Sequence, residues 1–110
     1  MSYKPNFPNV NNLPTYEEFK AQGDTAFTVF FGDEAGVQAR LVEVSDLRRY
    51  GGRESYSLLF LVPPEAPIAQ NVFRIEHVEL GLFELFLVPV GRSEEGIKYE
   101  AVFNRLLDAE

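Results

Sequence analysis

The chain holds a single histidine, His77, at the end of the alternating run Asn71 to His77. A Ser-His-acid set would have to use it as the proton acceptor for a serine hydroxyl. Glu79, two residues on, could orient the ring, yet no serine stands in a Gly-x-Ser-x-Gly elbow. A histidine where a strand meets a turn more commonly bonds a turn carbonyl and packs beside the strand, which is the expectation here. Metal chemistry has less to work with. Zinc needs several His or Cys ligands, and the chain has one His and Cys 0. Asp33-Glu34 and Glu94-Glu95 do not approach a calcium loop, because adjacent side chains on a strand point apart. Gly51-Gly52 follow two arginines but open no helix, so they do not form a phosphate-binding loop. No pattern favours a glycosidase-like carboxylate pair. The expectation is a protein that is not an enzyme and needs no cofactor or metal.

Two stretches carry binding chemistry instead. Arg48-Arg49-Tyr50-Gly51-Gly52-Arg53 is the one basic cluster in a chain of formal net charge -7. Arginine forks pair bidentately with carboxylates, so the cluster could engage an acidic partner, or the arginines could balance Asp46 and Glu54 nearby. The second stretch is Leu82 to Val90. Phe83, Leu85 and Leu87 point one way, while Phe86, Val88 and Val90 point the other. A strand apolar on both faces must be covered on both faces, by the N-terminal arm and helix or by another chain. Pro89 has no N–H for a ladder, which suggests that this strand ends at or near an edge. The candidate partner-binding residues are Phe7, Leu82, Phe86, Val88, Arg48, Arg49, Tyr50 and Arg53.

The elements that must position these residues are mostly strands. Residues 1–14 read as an extended arm rich in proline and asparagine, with Tyr3, Phe7, Val10 and Leu13 between. Thr15-Tyr16-Glu17-Glu18 matches a capping box, and Gly23 stops the short helix predicted over 15–22. Tyr16 and Phe19 on it are expected to cover an open end or edge of a sheet. From Thr25 to Asn104 the pattern is strands separated by turns. Phe27, Val29 and Phe31 alternate, Gly32 to Gly36 turn the chain, and Val37, Ala39 and Leu41 follow. The phase then switches to Val42 and Val44, the mark of a bulge or bend. Ser45 to Arg53 reads as a polar excursion. Tyr56, Leu58, Phe60 and Val62 share one face, and Pro63-Pro64 end that strand. Phe73 and Ile75 face inward on the next, Gly91 to Gly96 make a solvated hairpin connection, and Ile97 to Phe103 alternate. Six strands with short links predict an all-β fold, a small antiparallel six-stranded barrel or sandwich with one short N-terminal helix. Residues 15–110 form one domain, as 110 residues allow.

Bulk properties narrow the partners. Lys+Arg 10 against Asp+Glu 17 is the reverse of what grips a phosphate backbone, so nucleic acid is not expected. The longest apolar stretch, Leu85 to Val90, is too short for a membrane helix, and Met1 to Asn12 lack the apolar run of a signal peptide. The expected location is cytoplasmic by default, with incorporation into an exported assembly left open.

Ser57-Leu58-Leu59-Phe60, Phe73-Arg74-Ile75-Glu76-His77, Leu80-Gly81, Phe83 to Val90 and Tyr99-Glu100-Ala101-Val102-Phe103-Asn104 together resemble a family of short bacterial domains of unknown function. The similarity runs from about Phe27 to Arg105, and the arm falls outside it. Where family members often have proline after the histidine, this chain has Val78. The resemblance implies no catalytic residue; it implies an accessory or structural role, since such genes tend to neighbour those of phage-tail-like collar or fibre proteins. The expected function is a non-enzymatic protein-interaction module, with a protein partner or self-association. The alternatives are an assembly chaperone for a fibre protein, pairing an exposed strand edge, and a small-molecule or glycan binder using Tyr50 and Tyr56 beside Arg49 and Arg53.

Overall fold

A computed structural model describes residues 13–32 and 36–106. One helix, α1 (Tyr16–Ala21), precedes seven strands: β1 (Ala26–Phe30), β2 (Gly36–Val44), β3 (Arg48–Tyr50), β4 (Arg53–Val62), β5 (Asn71–His77), β6 (Gly81–Ser93) and β7 (Gly96–Leu106). All pairings are antiparallel, in the order β2-β1-β5-β6-β7-β4-β3. A further pairing of β2 with β4 closes six of these strands into a barrel, leaving β3 as an extra strand on β4. Closure removes most of the edge that an open sheet would expose.

The alternation read from the sequence sets the inside of this barrel. Phe27, Val29, Leu41, Leu58, Phe60, Ile75, Phe83, Leu87, Ile97 and Tyr99 are buried. Aromatic edges meet faces across the lumen, as at Phe27–Phe60 with centroids 5.2 Å apart and Phe73–Tyr99 at 6.1 Å. Six strands enclose a lumen that side chains fill, so the barrel is a packed core and not a pore.

Its two ends are stoppered differently. At one end sits α1, held by the capping box: Glu18 N donates to Thr15 Oγ1 at 3.1 Å, and Thr15 N donates to Glu18 Oε1 at 2.9 Å. The helix projects Phe19, fully buried, against Phe83 and Phe103 with centroids 5.7 Å away in each case. Tyr16 meets the Tyr56 ring edge-on at 5.0 Å, and its hydroxyl donates to Ser45 O. Residues 63–70 cover the other end. The Tyr99 hydroxyl donates to Pro67 O at 2.8 Å and accepts from Ala69 N at 3.1 Å, pinning that connection across the lumen.

Two irregularities shape the wall. The phase switch after Leu41 is a bulge, with register shifting between Leu41 and Glu43 opposite β4. The second shift lies between Pro89 and Gly91 opposite β7. Pro89 does not end its strand, which runs on to Ser93, but it does lie where β6 is paired on one side only, since the ladder with β5 stops at Leu87. It sits within a strand paired first to β5 and then to β7, at a bulge where a missing N–H is tolerated. The segment 45–53, expected as a polar excursion, includes β3. Tyr50 stands opposite Arg53 across Gly51-Gly52, whose φ values of 59 and 78 fit the type I′ turn of a two-residue hairpin. The stretch 91–96 is shorter as a loop than expected, because β6 runs to Ser93 and only Glu94-Glu95 lie between Ser93 and Gly96.

Gly96 sits where only glycine fits without strain. Its φ is +148, and a Cβ would collide with the Val62 carbonyl on β4. Gly96→Ala is expected to cost about 2 kcal/mol or more through strain and displacement of β4, read as a lower urea midpoint at unchanged slope.

Candidate functional site

His77 is buried at the end of β5, and both ring nitrogens are engaged. Glu79 N donates to Nδ1 at 3.0 Å and Leu80 N does so at 3.3 Å, so Nδ1 carries no proton. The proton must then sit on Nε2, which lies 2.9 Å from Thr25 Oγ1 and donates to it. Thr25 Oγ1 in turn donates to Gln22 O at 2.6 Å. The ring also packs on Phe27, with centroids 4.2 Å apart. His77 thus joins the β5–β6 turn to the segment after α1. It accepts from turn amides, where a bond to a turn carbonyl was expected. Burial holds its pKa below the ordinary value, opposed by the nearby Glu79 carboxylate. A base with both nitrogens committed to the scaffold has no lone pair to offer a substrate. Among the described residues no group of three His, Cys, Asp or Glu is placed to hold a metal ion.

The arginine cluster becomes a hairpin with two faces. Arg49 pairs across the ladder with Glu54, and Arg49 Nε lies 3.5 Å from Glu54 Oε1. That half of the cluster is balanced by an acid, as one reading of the sequence held, although Asp46 forms no ion pair among the described residues. Alternation along β3 turns Arg48 and Tyr50 to the opposite face, where Tyr50 stands across from Arg53. Arg53 Nη1 donates to Asn104 Oδ1 at 3.2 Å on β7. Tyr50 is 85% exposed. Tyr56, which the sequence placed beside it as a binding ring, is instead buried and stacked on Phe103 with centroids 4.5 Å apart.

The two-faced strand divides as its pattern requires. Phe83, Leu85 and Leu87 enter the lumen, while Phe86 lies outside at 53% exposure and Val88 is half-buried. Leu82 is exposed as well. The helix covers none of them, because it stoppers the barrel end. Phe7 lies outside the described residues, and with it any covering by the arm. Val72 faces Phe86 across the β5–β6 ladder and is equally exposed, and Val102 and Leu106 on β7 are exposed too. These β7 positions carry no unusual sequence signal beyond alternation, and the sequence reading missed them.

The ladder between β6 and β7 is short. It joins Val88–Ser93 to Gly96–Glu100. Beyond it, Gly81–Leu87 pair with β5 only and Ala101–Leu106 with β4 only, among the described residues. The wall opens there into a seam whose inner side holds Phe19 between Phe83 and Phe103. An open depression near the far hairpin is lined by Arg92, Ser93, Glu94, Glu95 and Lys98.

Register places the hairpin and the β7 side chains on one surface. Tyr50, Arg53 and Leu106 form one cross-strand row; Arg48, Ser55 and Asn104 form the next; Ser57 and Val102 follow. The arginines and the apolar residues, far apart in the chain, meet on the outer wall of β3–β4–β7.

Among the described residues no helix is long and apolar enough to cross a membrane. Comparison with curated proteins and with solved structures gives no match. A family model matches residues 14–103, which brings α1 inside the shared unit and leaves the arm outside it. Spanning helix, barrel and hairpin alike, that match makes the chain a member of the family described as a domain of unknown function (DUF6916).

Proposed function

We propose that this domain is a non-enzymatic protein-interaction module whose outer wall on β5, β6 and β7 docks a protein partner or a second copy. The observation that carries the reading is the run of exposed apolar side chains at Val72, Leu82, Phe86, Val102 and Leu106. Scattered single exposed residues are ordinary, whereas a cross-strand pair such as Val72–Phe86, with Leu82 on the same face of β6 and further exposed apolar residues on β7, favours a contact surface. Within this class, the family resemblance favours an accessory or structural role in a phage-tail-like assembly.

Phe86→Asp is expected to abolish a stoichiometric complex, or to reduce an oligomer to a monomer by light scattering, without lowering the melting temperature. Unchanged mass and unchanged partner binding in Phe86→Asp and in Val102→Asp would remove this surface from consideration.

A second reading has its own support. The unpaired edges at the β6–β7 seam are what a chaperone would use to hold a strand of a fibre subunit. A chaperone would be absent from the finished assembly, whereas a structural module would remain in it.

A further inference from the structure

We infer that the face of the β3–β4 hairpin carrying Arg48, Tyr50 and Arg53 binds an acidic polypeptide segment. The identification of the ligand as polypeptide rests on the interaction-module reading; the identification of its charge does not.

The hairpin sorts its charges by face. Arg49 is spent on Glu54, on the side turned toward the barrel. Arg48 and Arg53 lie on the other side with Ser55, Ser57 and Asn104 as neighbours, none of them charged. Among the described residues, adjoining segments also carry the carboxylates of Glu43, Asp46 and Glu100. Neither arginine forms an ion pair with them or with any other described residue. In a chain with Asp+Glu 17 against Lys+Arg 10 acids are in surplus, yet among the described residues none pairs with this face. Among the described residues, then, the positive charge of this face is left open to a ligand.

Geometry adds selectivity. The two-glycine turn fixes the relation of Tyr50 to Arg53, and Asn104 holds one nitrogen of Arg53 while leaving its other donors free. A pre-positioned fork loses less entropy on pairing with a carboxylate than a mobile lysine would. Tyr50, 85% exposed on the same row, gives a rigid ring for an aliphatic side chain beside the acid, and Leu106 and Val102 continue the apolar surface along β7. Arginine and tyrosine are the types that most often carry contact energy at protein interfaces. A long polyanion such as nucleic acid is disfavoured, because beyond two arginines it would meet a chain of net charge -7. A short acidic segment with interspersed apolar residues fits both the charge and the extent of the patch.

The test is an amide-shift titration of the isotope-labelled full chain with the end-blocked peptide Glu-Leu-Glu-Glu-Leu-Glu. Its glutamine counterpart and oligothymidylate serve as controls. Expected are shifts confined to residues 48–57 and 102–106, weakening with salt, with affinity at least about tenfold lower in the double variant Arg48→Glu/Arg53→Glu. In Phe86→Asp those shifts should persist. Persistence there with unchanged oligomeric mass would discard the apolar docking surface while keeping this one. The inference is overturned if the acidic peptide produces no shifts, if the glutamine peptide or oligothymidylate binds as well, or if the double variant, still folded by its spectrum, binds unchanged.

Discussion

Replacing Phe19 by alanine is expected to lower the unfolding free energy by about 3–5 kcal/mol, the range for a buried ring removed from a well-packed site. The reason lies in where the ring sits. Phe19 is fully buried, although its helix has only 6 residues and would not persist alone. Its ring enters the barrel end between Phe83 on β6 and Phe103 on β7, the two strands whose ladder stops at Val88–Glu100. Without the ring, that end would lose the contact that bridges the unpaired part of the seam. For a domain held by about 5–15 kcal/mol in total, the loss is a large fraction. Guanidinium unfolding followed by far-ultraviolet circular dichroism measures it. The companion Thr15→Ala removes only the cap and should cost about 1 kcal/mol. If Phe19→Ala cost no more than Thr15→Ala, α1 would be an ornament on the barrel and not its stopper.

His77→Ala is expected to cost about 3 kcal/mol and to change how stability depends on pH. The substitution leaves two turn amides, of Glu79 and Leu80, without their acceptor, and it deprives Thr25 Oγ1 of a donor. It also opens space beside Phe27. Each orphaned buried donor costs about 1–3 kcal/mol unless water reaches it. The pH effect follows from the neutral ring. Burial lowers the folded-state pKa, while the unfolded chain titrates near 6.5. Below that value the unfolded state binds a proton that the folded state resists, so stability falls as the pH drops through and below about 6.5. Above it the imidazole is neutral in both states, and its contribution is constant. The folded ring cannot gain a proton at Nδ1 without turning an acceptor of two amides into a donor facing them. Urea midpoints between pH 5 and 8 should therefore slope for the wild type and slope less for His77→Ala. Identical slopes would mean that His77 protonates in the folded state as readily as in the unfolded one.

These two side chains also show what a sequence can and cannot tell. The capping box at Thr15–Glu18, the bulge after Leu41 and the inward set Tyr56, Leu58, Phe60 and Val62 were legible, because each depends on residues within a few positions of one another. A bond from Thr15 to Glu18 or the alternation of a pleated strand needs no knowledge of the rest of the chain. Local rules failed where two of them compete. Pro89 reads as a strand end, yet β6 runs on past it, because a bulge on a stretch paired with β7 alone tolerates the missing N–H. Arg48 to Arg53 read as a polar excursion because three exposed residues are too few to show a period, so β3 was invisible until β4 supplied its partner.

What the sequence determined is the alternation that fills a small barrel, the turns that divide it and the helix that caps it. Tertiary structure alone decided which distant residues share a surface. That the ring closes through β2 and β4, that the β6–β7 ladder stops at Val88, and that Tyr50, Arg53 and Leu106 fall into one row all follow from register between residues as far apart in the chain as Arg53 and Leu106. Register is fixed by the fit of the whole lumen, since a slip of one residue would turn every buried side chain outward. No short stretch of sequence contains that constraint, which is why the arginine hairpin and the exposed Val102 and Leu106 read as separate features in the chain and share one face in the fold.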